Sequence, residues 1–202
     1  MKRTLFLFLM AIMILPVAGA LAQEGVEATL EEARKAYRAG DLEAARFKLQ
    51  QAMTEVDLAI AREVLALLPT QMGDMTYTDT DETVGSAALG FAGLYVSRTY
   101  LSDDESSASV QVIADSPLLA GLNTVLSLPI GAFDSNQKRI RIGGYRGLLQ
   151  KQDDGNGKIS WDVQIPFGSS LLSLSFKGIS EEKAVMDMTN TIPIDRIARL
   201  VQ

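Results

Sequence analysis

Apolar positions recur along the chain first with the period of a helix and then with that of a strand. Val26, Leu30, Ala33 and Tyr37 fall at i, i+4, i+7 and i+11, which predicts a helix that stops at Gly40. Asp41 is placed to cap a second helix, whose apolar face runs Leu42, Ala45, Leu49, Met53, Val56, Ile60, Val64 and Leu67 before Pro69 ends it. Two helices joined by a Gly-Asp turn make an antiparallel hairpin. Beyond Pro69 the pattern becomes that of a sheet. Residues 75–79 read as a short strand, 78–85 as a polar loop, and 90–101 and 109–114 as a strand pair around the turn 103–107. Ser116 and Pro117 open a helix with Leu118, Leu122 and Val125 on its apolar stripe, flanked by Leu119 and Leu126 and ending at Pro129. Strands follow at 139–142 leading into 145–151, then 158–165 and 170–176, separated by Asp154-Gly155-Asn156-Gly157 and by Pro166-Phe167-Gly168. Ser180, with Glu181 and Glu182, opens another helix, and Ile194, Ile197 and Val201 form one face of the last. This order predicts an α+β fold: an antiparallel sheet with packed helices, preceded by an N-terminal helical hairpin.

The first residues read as an address. Lys2 and Arg3 precede an apolar run from Leu5 to Leu15, Pro16 breaks it, and Ala20-Leu21-Ala22 forms a small-x-small site before Gln23. That is the pattern of a secretory signal peptide cleaved after Ala22. A membrane anchor would want about 20 apolar residues, and this run is about half as long. The expected organisation is residues 1–22 as signal peptide, 23–68 as helical hairpin and 69–202 as an α+β domain, in a periplasmic or secreted protein with no transmembrane segment after cleavage.

Composition narrows the chemistry. The 202 residues are 47% hydrophobic and contain neither cysteine nor histidine. Disulfides, thiol nucleophiles, a Ser-His-Asp triad and imidazole bases are therefore excluded. The net charge is −6, and losing Lys2 and Arg3 with the leader takes it to −8. Nucleic-acid binding, which depends on clustered basic charge, is not expected.

Ala33, Tyr37, Gly40, Asp41, Ala45, Leu49 and Ala52 resemble one tetratricopeptide repeat, with Asp57 where the closing proline of that motif stands. From Leu68 onward the order of elements resembles the Mog1/PsbP-like α/β/α sandwiches. The likeness rests on the Asp115-Ser116-Pro117 helix start between two blocks of strands and on the Gly143-Gly144-Tyr145 step into the meander. It implies a binding or assembly module without catalysis, and carries over no site residue.

Local strings with chemical overtones have plainer accounts beside them. Gln152 to Ile159 is similar to part of a calcium loop, and Asp153, Asp154, Asn156 and Asp162 are its candidate ligands, the one cofactor considered. Positions 1 and 12 of such a loop would be Gln152 and Val163, which a calcium loop does not tolerate, so a hairpin turn is the better account. Ser180-x-x-Lys183 matches a string of penicillin-recognising enzymes, but an N-cap explains it and the companion strings are missing. Gly85 and Gly90 have the spacing of a phosphate loop without its lysine. Lys138, Arg139, Arg141 and Arg146 surround Tyr145. Arg139 and Arg141 are expected on the solvent face of an edge strand with Ile140 and Ile142 inward, a stripe that could otherwise meet anionic headgroups or an acidic partner. Asp103, Asp104 and Glu105 read as a solvated turn, and Trp161 as core. The expectation is a non-enzymatic, exported protein that binds another envelope protein, with Tyr37, Leu49 and Met53 as partner contacts. The alternatives are a carrier of an apolar ligand or lipid, and a hydrolase working with carboxylates alone.

Overall fold

The structure, a computed structural model, describes residues 18–86, 93–128, 136–153, 155 and 158–202. Most of the expected leader lies outside them. Helix α1 (Ala18–Arg38) crosses the expected cleavage point, and α2 (Leu42–Leu67) follows the turn at Gly40. The described residues then form β1 (Gln71–Met72), β2 (Met75–Thr76), β3 (Glu82–Gly85), β4 (Tyr95–Leu101), β5 (Ser107–Ile113), α3 (Leu119–Ser127), β6 (Gln137–Ile142), β7 (Tyr145–Asp153), β8 (Ile159–Phe167), β9 (Ser170–Lys177), α4 (Glu182–Thr189) and α5 (Ile194–Val201). All nine strands belong to one antiparallel sheet of order β1-β2-β4-β5-β9-β8-β7-β6, with β3 also pairing β4. This is the expected α+β class.

Strand alternation gives the sheet two unlike faces. One register row joins Arg98, Val110, Leu174, Val163 and Leu149, and the row beside it joins Val96, Val112, Leu172 and Ile165; every one of these side chains is buried. Ala61, Val64, Leu65 and Leu68 after or within the C-terminal half of α2 pack on this face, together with Val185 and Met188 of α4 and Ile194, Ile197 and Ala198 of α5. The other face carries Ser97, Gln111, Ser173 and Gln164 in one row and Thr99, Ser109, Ser175, Asp162 and Gln150 in the next. Over its end lies α3, whose Leu122 and Leu126 meet Leu148 and Leu171.

Arg98 is the charged residue on the apolar face, and its burial is fully answered. Its Nε donates to Glu82 Oε1 at 2.8 Å, one terminal nitrogen donates to the Leu68 and Pro69 carbonyls at 3.0 and 3.1 Å, and the other to the Leu65 carbonyl at 2.9 Å. Glu82 also forms an ion pair with it and is its cross-strand partner. The guanidinium lies 3.8 Å from the Tyr77 ring centre, and the Tyr100 hydroxyl donates to the Pro69 carbonyl at 2.7 Å. The last turn of α2 leaves carbonyls without helical partners. A side chain from the sheet satisfies them and so fastens the helix end to β4.

The structure corrects several expectations. Residues 82–85 form strand β3 and not a loop, since Glu82, Thr83, Val84 and Gly85 pair along β4 and Glu82 meets Arg98. The strand expected over 75–79 is only β2, and a 3₁₀ turn begins at Asp79. Helix α3 starts at Leu119, three residues past Ser116, whose hydroxyl is 3.4 Å from the Leu118 amide. Pro166 and Phe167 belong to β8 and not to the turn. Pro166 sits beyond the last β7 pairing, Leu148 with Gln164, so its missing N–H interrupts no bond on that side. Ser180 does not cap α4, because Glu181 occupies the N-cap position and makes no side-chain cap bond. By its internal contacts the chain forms two compact units, one ending at Ala52 and the other beginning at Met53, inside α2. The later half of α2 contributes core residues to the sheet unit.

Candidate interaction surface

The first compact unit is the helical hairpin. Gly40 takes φ +80° between the helices, and the Asp41 carboxylate accepts the Ala44 amide at 2.9 Å, the expected N-cap. Its seam is made of small side chains: Thr29 and Ala33 of α1, Ala45 and Ala52 of α2 are buried, all under a tenth exposed. Small residues let two helices approach closely. Lys48 bridges the helices at the rim, 2.6 Å from Glu32, and this partner holds the Glu32 carboxyl below its ordinary pKa.

An alanine seam displaces the large apolar side chains outward. Leu30 and Tyr37 of α1 are 45% and 68% exposed, Leu42, Phe47 and Leu49 of α2 51–64%. At about 100° per residue, Leu30 and Tyr37 fall on the same rotational side of their seam as Leu42 and Leu49 do of theirs. Because the helices run antiparallel, both stripes emerge on one face of the hairpin. Phe47 points to the other side. Met53, one turn past Leu49 and the first residue of the second unit, is 68% exposed, and Val56 43%. Tyr37, Leu49 and Met53, the expected contact residues, are thus all solvent-facing. Leu30 and Leu42, on the same helix faces, are exposed beside them and were not among the expected contacts.

Of the candidate calcium ligands, Asp153 and Asp162 lie among the described residues. Asp162 pairs with Gln150, and Asp153 with Ile159, which puts them on opposite faces of the β7–β8 ribbon. Asp153 accepts the Gly155 backbone amide at 2.9 Å, and Asp162 accepts from the Gln152 side-chain Nε2 at 2.6 Å. Asp154 and Asn156 lie outside the described residues. Among the described residues, no three acidic side chains are grouped to hold a metal.

The second unit holds an open cleft of about 600 Å³ where β6, β7 and β8 end near α3. Its walls are Asn123 and Ser127 of α3, Arg141 of β6, Tyr145 and Arg146 of β7, and Pro166 and Phe167 of β8. Gly143 and Gly144, at φ +54° and +87°, make that turn. The Tyr145 pKa is raised, by desolvation first and by the charge of Asp195 next. Asp103, Asp104 and Glu105 occupy the expected turn, where the Asp104 carboxylate takes the Ser102 hydroxyl and, at 3.1 Å, the Ser106 amide. Those bonds lower its pKa, the Ser102 hydroxyl most. Trp161 is buried, with Nε1 donating to the Ile179 carbonyl at 2.9 Å. Arg139 and Arg141 alternate with buried Ile140 and Ile142 on β6, an edge strand. No protein-family model, curated protein or solved structure matches the chain.

Proposed function

We propose that the protein is exported and acts by binding another envelope protein through the hairpin face of Leu30, Tyr37, Leu42 and Leu49. The carrying observation is the inversion of the hairpin: alanines inside, large apolar side chains at roughly half exposure or more outside. Clustered exposed apolar residues on a small helical unit mark interaction sites more often than chance scatter does. An apolar helix laid into the groove between the two stripes is the recognition mode this geometry suits. The leader pattern of residues 1–22 supports export, and the lack of histidine and cysteine fits a binding role better than a catalytic one.

The test is crosslinking in intact cells, with photoreactive groups at Tyr37 and Leu49 and, as control, at Phe47 on the far side. Adducts specific to Tyr37 and Leu49, lost in Leu30→Ser/Leu42→Ser, are expected. Equal labelling from Phe47 would sink the reading. Mass analysis of the protein from the periplasmic fraction should find a chain beginning at Gln23.

A further inference from the structure

We propose that the cleft between α3 and the β6–β7 turn binds a phosphate-bearing ligand through Arg141 and Arg146. The two arginines are direct cross-strand partners in the β6–β7 register. Directly opposed side chains on neighbouring strands stand about 5 Å apart, and like charges so placed repel. No acidic side chain among the described residues pairs with either one. Asp195, whose charge bears on Tyr145 at this end of the sheet, forms no ion pair with either arginine. Arg139, two residues earlier, is differently placed and donates to the Leu128 carbonyl at the end of α3. Edge protection alone would be served by a single exposed charge. A pair of opposed guanidiniums at the mouth of a cleft is what an anion requires.

The walls narrow the ligand's chemistry. Two planar forks carry a charge of +2 and can each make a bidentate contact, which suits the dianion of a phosphate monoester better than a lone carboxylate. Asn123 and Ser127 add neutral hydrogen-bonding groups, and Leu126, Pro166 and Phe167 give an apolar wall. A volume of about 600 Å³ exceeds a bare ion and falls within the usual range for small-molecule sites, so the phosphate is expected to carry an organic body. A soluble phosphate monoester and the headgroup of phosphatidic acid, itself a monoester, present the same group here.

The full processed chain is titrated with inorganic phosphate while its amide resonances are followed. Saturable shifts confined to Ser127, Gly143, Gly144 and Arg146 are expected, weakened at least tenfold by Arg141→Gln and abolished in Arg141→Gln/Arg146→Gln. Because the substitutions relieve repulsion, the double variant should melt no lower than the parent, which separates lost binding from lost folding. Phosphate should raise the melting temperature of the parent and leave that of the double variant unmoved. In a second arm, vesicles containing phosphatidic acid, whose headgroup is a phosphate monoester, are compared with pure phosphatidylcholine. Arginine-dependent retention on the former assigns the phosphate to a lipid headgroup, and its absence beside phosphate binding assigns it to a soluble ester. No saturable shift, shifts that persist in the double variant, or equal binding of acetate would each overturn the proposal. None of these outcomes touches the hairpin face, so the two readings stand or fall separately.

Discussion

At the scale of single residues, Arg98 carries the most consequence for folding. It serves three carbonyls, one carboxylate and one aromatic ring from a site 3% exposed. Arg98→Met leaves the Leu68 carbonyl without its side-chain donor, takes one of two donors from the Leu65 and Pro69 carbonyls, and leaves Glu82 without its counter-charge, so a loss of about 3–5 kcal/mol is expected in urea unfolding. Glu82→Gln keeps an acceptor beside the guanidinium and should lose roughly 1 kcal/mol. Equal losses for both would mean that the α2 carbonyls gain nothing from Arg98. Asp57 offers the opposite sign. Burial, and secondarily Asp115, raises its pKa above 3.8. A raised carboxyl binds its proton more readily folded than unfolded, so its contribution is fully present below the unfolded value and is lost as pH rises through the folded one. Asp57→Asn should therefore raise the melting temperature at neutral pH and leave it unchanged at pH values well below 3.8, a comparison made by calorimetry at the two pH values. Neither residue announces itself in sequence, where Arg98 stands in a strand of mixed character and Glu82 in what reads as a polar loop. The partners are 16 residues apart along the chain and meet only through the β3–β4 register.

Element by element, period was legible and orientation was not. The 3.6-residue rhythm located both hairpin helices, and Gly40 with Asp41 located the turn between them. The apolar faces read as single stripes, whereas the structure splits them: Ala33, Ala45 and Ala52 are buried at the seam, and Leu42 and Leu49 stand exposed beside it. Helix starts went astray at Ser116 and Ser180 by two or three residues: the Ser116 hydroxyl accepts the Leu118 amide at 3.4 Å ahead of α3, and Glu181, not Ser180, stands at the N-cap of α4. The hairpin turn gives a direct check on the local forces. Gly40 has open space around its absent Cβ, so Gly40→Ala meets no clash, only the left-handed backbone, at about 1–2 kcal/mol. Asp41→Ala removes the cap, at about 1 kcal/mol. Ala45→Leu overpacks the seam, by roughly 1–3 kcal/mol. Far-ultraviolet circular dichroism during melting should show all three as earlier loss of helix, and an unchanged Ala45→Leu melt would contradict a tight alanine seam.

Taken whole, the molecule was legible where its sheet alternates and illegible where long-range pairing decides. The strand blocks and their turns follow from local chemistry, as at Gly143-Gly144 and in the Ile140, Ile142 and Val163, Ile165 alternations. The placement of β9 between β5 and β8 does not, because no local signal says which hydrophobic strand lies at the centre. The same topology brings Arg141 and Arg146 together, and their sequence separation alone would not single them out from the basic residues around them. The division inside α2 has a dynamic consequence. The hairpin unit is held by a seam of alanines and a threonine, which removes little apolar area from water, while β4, β5, β9 and β8 enclose Val96, Val110, Val112, Leu172, Leu174, Val163 and Ile165 at zero exposure. Burial near 25 cal/mol per Å² makes the second set far harder to open. Hydrogen exchange read by mass spectrometry should thus find amides of residues 25–50 exchanging through local opening, well before those of the four central strands, which should exchange only on global unfolding. Binding of a partner to the apolar hairpin face would raise protection in residues 25–50 alone, and protection equal to that of the central strands in the free protein would refute the weak-seam account.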